Sequence, residues 1–76
     1  MNPKIPQNHI QDLSKKEKEV LDLLLQGFSN RQIAATLQIS EKAVEKHLTN
    51  IYRKAGVSSR LEAILWVREK GRDFPT

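Results

Sequence analysis

SNRQIAATLQISEKAVEKHLTNIYRKAG, from Ser29 to Gly56, is the stretch whose reading decides the fold. It divides at Gln38, Ile39 and Ser40. Ser29 with Gln32 three residues later has the form of a capping box, in which each side chain accepts from the other residue's backbone N–H. The short helix it opens places Ile33, Ala34 and Leu37 on one face. Ser40 is an N-cap candidate for a longer helix, about 41–55, which Gly56 is placed to stop. A connection of roughly three residues brings two helices together at a steep angle, as in a helix-turn-helix unit. Ala34 sits near the expected crossing, where a small side chain lets backbones approach. Ile39 is odd for a solvated turn and is expected to plug the core between the two helices.

The longer helix can be tested by its spacing, at about 100° per residue from Glu41. Val44, Leu48, Ile51 and Ala55 fall between about 280° and 340°, with Tyr52 near about 20°, which is one narrow apolar face. Lys42, Lys46, Thr49 and Arg53 fall between about 80° and 140°, with Asn50 at about 180°. The outward stripe thus holds three cations and two short hydrogen-bonding side chains. Glu41 and Glu45 lie at the edge near the core side, and Glu41 in the first turn favours the helix dipole. His47 falls between the two faces, which suits packing or capping better than a phosphate contact.

Outward from this pair, Ser14 with Glu17 is a second capping box, opening a helix over Lys15 to Gln26 with Val20, Leu21, Leu24 and Leu25 at helical spacing and Gly27 at its end. Leu23 is an extra apolar residue, so more than half of this helix's girth is expected to be buried. Ser59 with Glu62 is a third box, opening a helix to about Lys70 that Gly71 stops. No strand pattern competes. The expected fold is therefore all-α, with four helices over residues 13–71, an arm or interdomain linker over 1–12 marked by Pro3 and Pro6, and a tail over 72–76.

Composition narrows the chemistry. The chain has 76 residues, 38% of them hydrophobic, and no cysteine, which excludes disulfides, thiolate zinc sites and a cysteine nucleophile. His9 and His47 make no metal constellation, and no cofactor is expected. No nucleophile stands with a base and an orienting acid, so an enzyme is not expected. No apolar run reaches the ~20 residues of a membrane span, and a soluble cytoplasmic protein is the default expectation. The net charge is +4, and residues 40–60 carry +3 of it, five cations against two acids. Localised positive charge points to a polyanion. A major groove admits an α-helix and offers acceptors to Lys and Arg, with phosphates along its walls. The competing possibility is a helical protein-interaction module whose basic face binds an acidic partner, since a charged outer face is in many helices only a solvated one.

The stretch from Leu13 to about Val67 resembles the LuxR-type (GerE-like) helix-turn-helix domains of bacterial transcription regulators. The resemblance is carried by Glu17 and Glu19 before Val20-Leu21, by Ser29 to Ala34, Ile39-Ser40, Val44 with His47, and Asn50-Ile51, and by Lys54 with Gly56-Val57 and Arg60. It implies a DNA-binding output domain, as found at the C-terminus of response regulators. By position it implies base-edge contacts for Glu45, Lys46 and Thr49. It implies phosphate contacts for Asn30, Arg31, Lys42, Asn50, Ser58 and Arg60, and the wheel adds Arg53. Two positions depart from the family pattern: Glu45 stands where Lys is frequent, and Ala43 where Thr is frequent. The arm then reads as the end of a linker from a larger regulator, whose other domain would supply the switch.

The last helix is apolar around much of its girth. Ala63, Ile64 and Val67 suit the domain's core, whereas Leu61 and Leu65 lie on a flank. Unpaired apolar surface marks partners. The resemblance implies pairing of this helix with its copy on double-stranded DNA. Leu61 and Leu65 are then the expected contact, with Trp66 at the rim or packed against the arm, and the alternative is that these residues pack on residues 1–12. RNA polymerase is a further candidate partner.

Overall fold

The computed structural model describes residues 12–69 and contains four helices there: α1 (Lys15–Leu25), α2 (Asn30–Leu37), α3 (Glu41–Ala55) and α4 (Arg60–Glu69). The tail, the expected stop at Gly71 and all of the arm but Asp12 lie outside the described residues.

The starts of the helices are set by serine caps. Ser14 Oγ accepts from the Glu17 N–H at 3.1 Å and Glu17 Oε1 accepts from the Ser14 N–H at 2.9 Å. Ser29 and Gln32 close the same reciprocal pair at 3.1 and 2.8 Å. Ser40 Oγ accepts from the Ala43 N–H at 3.0 Å. The box expected at Ser59 is half formed. Its hydroxyl accepts from the Glu62 N–H at 3.1 Å, but the Glu62 carboxylate turns to Ser58, which offers both its N–H (2.7 Å) and its hydroxyl (3.1 Å). Two donors on one residue outcompete the single N–H of Ser59.

Three helices end in one way. Phe28, Ile39 and Val57 each donate their N–H to the carbonyl five residues back, Leu23, Ala34 and Tyr52, at 3.0–3.1 Å. The residue before each stands in the left-handed region, Gly27 at φ 92°, Gly56 at φ 74° and Gln38 at φ 59°, ψ 46°. This is the Schellman closure, in which the residue after the left-handed one is apolar and turns back onto the helix. Phe28, Ile39 and Val57 all pack, half-buried, against the core. Ile39 therefore does what its place in the turn requires. α1 ends at Leu25, one residue earlier than the spacing gave, with Gln26 as its cap.

The core is built around α3, which packs on α1 and α2 and carries α4. Leu21, Val20, Leu24, Ile33, Val44 and Ile51 are almost completely buried, with Leu13, Ala34, Leu48 and Ala55 beside them. Burial of each Val, Leu or Ile side chain among them contributes about 1.5–3 kcal/mol. On α4 the buried face is Ala63, Trp66 and Val67, the i, i+3, i+4 spacing of one helical side, and Ile64 lies at its edge. Trp66 is thus buried rather than at the rim of an exposed patch, while the arm against which it was also expected to pack lies, but for Asp12, outside the described residues. A helix that is apolar on most sides does not reveal by spacing alone which side turns inward. No helix among the described residues is long and apolar enough to cross a membrane.

Candidate nucleic-acid interface

The buried face of α3 fixes what the opposite face presents. With Val44, Leu48, Ile51 and Ala55 held inward, Lys42, Glu45, Lys46, Thr49 and Arg53 are exposed along the helix, and Asn50 is half-buried at the edge of the row. Glu41 is exposed as well, and His47 is half-buried between the faces. Ser40 and the Schellman turn at Gln38 hold the start of this row beside the end of α2. Asn30 and Arg31 lie in the first turn of α2, with Arg31 exposed. A helix N-terminus is the positive end of its dipole, and cations and amides beside it suit an anion.

The hydrogen-bond partners sort these residues further. Thr49 Oγ1 donates to the Glu45 carbonyl at 3.0 Å, one turn back along the helix. The donors of Ser58 are both turned to Glu62, so its hydroxyl is engaged within the domain. The Arg60 guanidinium donates through Nη2 to the Phe28 carbonyl, tying the start of α4 to the turn before α2. Burial pushes the Tyr52 phenol above its ordinary range, and the nearby Arg60 charge offsets part of that shift. Arg60 thus serves the fold from a position expected to meet phosphate.

One pairing was not visible in the sequence. Lys54 Nζ lies 2.9 Å from Glu17 Oε1 and 3.4 Å from the Asp12 carbonyl, joining the end of α3 to the start of α1. Lys54 is therefore set apart from the outward cations. Glu17 carries a signal only as a cap; its second partner is 37 residues away.

The remaining surface feature is on α4. Leu61 is 64% exposed and Leu65 51%, both on the flank where the spacing put them. Leu65 also lines an open groove with Val57, Glu62 and Glu69. Among the described residues no group of His, Cys, Asp or Glu side chains is assembled to hold a metal ion.

Comparison with known proteins agrees with the four-helix fold. A family model described as bacterial regulatory proteins, luxR family, matches residues 11–67. The nitrate/nitrite response regulator protein NarP of Escherichia coli is 47% identical over 60 residues, covering 78% of this chain and 28% of NarP. The spore germination protein GerE of Bacillus subtilis is 41% identical over 59 residues, covering 78% of this chain and 80% of GerE. Among solved structures, the response regulator ChrA of a heme-sensing two-component system superposes with a TM-score of 0.74 at 51% identity, over 78% of this chain and 29% of ChrA. The chain thus spans less than a third of the two response regulators and most of GerE.

Proposed function

The chain belongs to the luxR family of bacterial regulatory proteins, a family of DNA-binding transcription regulators, and we propose that its α3 reads double-stranded DNA by entering the major groove. The observation that carries this is the exposed row on α3, whose charge is dominated by Lys42, Lys46 and Arg53 and whose direction is fixed by the buried side of the same helix. Lys46, Thr49 and Glu45 meet base edges. Arg31, Lys42, Asn30, Asn50 and Arg53 set the register on phosphates. Arg60 keeps further N–H groups besides the one given to Phe28, so it can serve both. Ser58 can donate to a phosphate only by giving up Glu62.

Regulation of transcription as the output domain of a larger response regulator is part of the same proposal, and the likeness to NarP and ChrA supports it. So is pairing of two copies on a two-fold site through Leu61 and Leu65. That patch is small, and a contact of its size holds only when DNA brings the copies together.

A fluorescence-anisotropy titration of duplex DNA at two salt concentrations tests the function. Each phosphate contact adds about 0.9 to the slope of log affinity against log salt. A steep loss of affinity between the two salts is expected. Absence of salt-dependent DNA binding would favour an acidic protein partner for the basic face.

A further inference from the structure

Two neighbours on the exposed row of α3 present hydrogen-bond acceptors outward. Glu45 is an exposed carboxylate, and the ion pairs among the described residues, Lys16 with Glu19 and Lys54 with Glu17, do not include it. Lys42 and Lys46 flank it in the sequence without neutralising it. An ionised carboxylate has no donor. Thr49 has one hydroxyl hydrogen, and that hydrogen goes to the Glu45 carbonyl at 3.0 Å. What Thr49 presents outward is oxygen lone pairs and a methyl group. The two side chains lie one turn apart, about 6 Å along the helix.

We propose that Glu45 and Thr49 form an acceptor edge on α3 that selects exposed amino groups in the major groove, with Glu45 choosing cytosine. The inference rests on α3 being the groove-reading helix. The choice follows from the pattern of groups on each base. Guanine shows only acceptors, N7 and O6, and repels a carboxylate. Adenine shows an amino group, but its N7 acceptor lies beside it. Cytosine offers the N4 amino group, with no acceptor of its own at that edge. Thr49, while it keeps its bond to the Glu45 carbonyl, accepts from an amino group at the neighbouring base pair, and donating to guanine would cost it that bond. Lys46 supplies the complementary preference, since its ammonium only donates and suits guanine. An acid in this row also lowers affinity for DNA of any sequence, by repelling phosphates. Glu45 therefore trades strength for selectivity.

The test is selection of bound fragments from a library of randomised duplexes by the chain, by Glu45→Gln and by Thr49→Val, with thermal unfolding of each variant by circular dichroism. Both side chains are exposed, so the melting temperatures are expected to stay within a few degrees. The unaltered chain should enrich sites with a fixed cytosine. Glu45→Gln should lose that cytosine preference about tenfold and turn it towards adenine, whose N6 and N7 fit an amide. The same variant, one unit more positive, should bind unrelated duplex more tightly. Thr49→Val, which keeps the methyl branch and removes the oxygen, should weaken the preference at the neighbouring pair about fivefold. A common sequence with no cytosine dependent on Glu45 would overturn the assignment, as would a guanine preference lost in Thr49→Val. Failure of the unaltered chain to enrich any common sequence would instead overturn the groove-reading role of α3, and this inference with it.

Discussion

Lys54 Nζ lies 2.9 Å from Glu17 Oε1, and the same Glu17 oxygen accepts the Ser14 N–H that starts α1. One carboxylate thereby caps the first helix and anchors the end of α3. Glu17 is 7% exposed at its side chain and Lys54 38%. Removing Lys54 leaves a buried carboxylate with only its local cap. Breaking a fully buried pair costs about 3–5 kcal/mol, and solvent at Lys54 reduces this. Lys54→Met is expected to lower stability by about 1–2 kcal/mol in urea unfolding. Glu17→Gln, which keeps an acceptor for the Ser14 N–H, should cost less.

The same pair predicts a pH dependence. Burial pushes the Glu17 carboxyl up, but hydrogen bonds from Lys54 and Ser14 and the Lys54 charge outweigh burial and leave it below its ordinary value of 4.5. A carboxylate whose folded pKa is depressed contributes stability that is fully present above its unfolded pKa, and loses it as pH falls through the lower folded value. Urea midpoints measured downward from pH 5 should therefore fall more steeply for the unaltered chain than for Lys54→Met. Parallel curves would assign the acid sensitivity to other carboxylates.

The turn between α2 and α3 holds Gln38 at φ 59°, where Gly27 and Gly56 occupy the equivalent places in the other two turns. A side chain in the left-handed region costs about 1 kcal/mol or more. Gln38→Gly is expected to stabilise the domain by about 0.5–1 kcal/mol, the gain reduced by the greater freedom of glycine in the unfolded chain. A higher urea midpoint with an unchanged slope is the expected result. A lower midpoint would mean that the Gln38 side chain contributes contacts that outweigh the strain.

Leu61→Asp places a charge on an exposed flank and should leave the melting temperature within a few degrees. If two copies pair there on DNA, the variant loses affinity for a palindromic site while keeping its affinity for a half-site. Anisotropy on the two duplexes separates these outcomes. Equal affinity of both proteins for the palindrome would remove Leu61 from any contact between copies.

Much of this fold was legible because its signals are local. Ser14, Ser29 and Ser40 with the residues three places on set the helix starts, and the spacing of Val44, Leu48, Ile51 and Ala55 set the direction of α3. Ile39 betrayed itself by being apolar in a turn. What escaped depends on residues far apart in the chain. Glu17 could be read as a cap but not as the partner of Lys54, and Arg60 gave no hint that the Phe28 carbonyl would take one of its donors. The burial of Trp66 was left open because α4 has apolar residues on most sides, so only tertiary packing chooses the inward one. Gln38 gave no signal of its left-handed backbone, since glycine usually marks that place. The exposure of the outward row on α3 needed no long-range knowledge, which is why it was readable.

The central claim is that Lys46 reads bases while Arg31 holds the backbone. The most direct measurement is the affinity of Lys46→Ala and Arg31→Ala for a selected site and for an unrelated duplex of equal length, each at two salt concentrations. Lys46→Ala is expected to lose about 1–3 kcal/mol on the selected site and far less on the unrelated duplex, with relaxed preference at one base pair. Arg31→Ala should weaken both duplexes alike and reduce the salt slope by about one unit. Loss of equal size on both duplexes for Lys46→Ala, or no loss for either variant, would contradict the placement of α3 in the major groove.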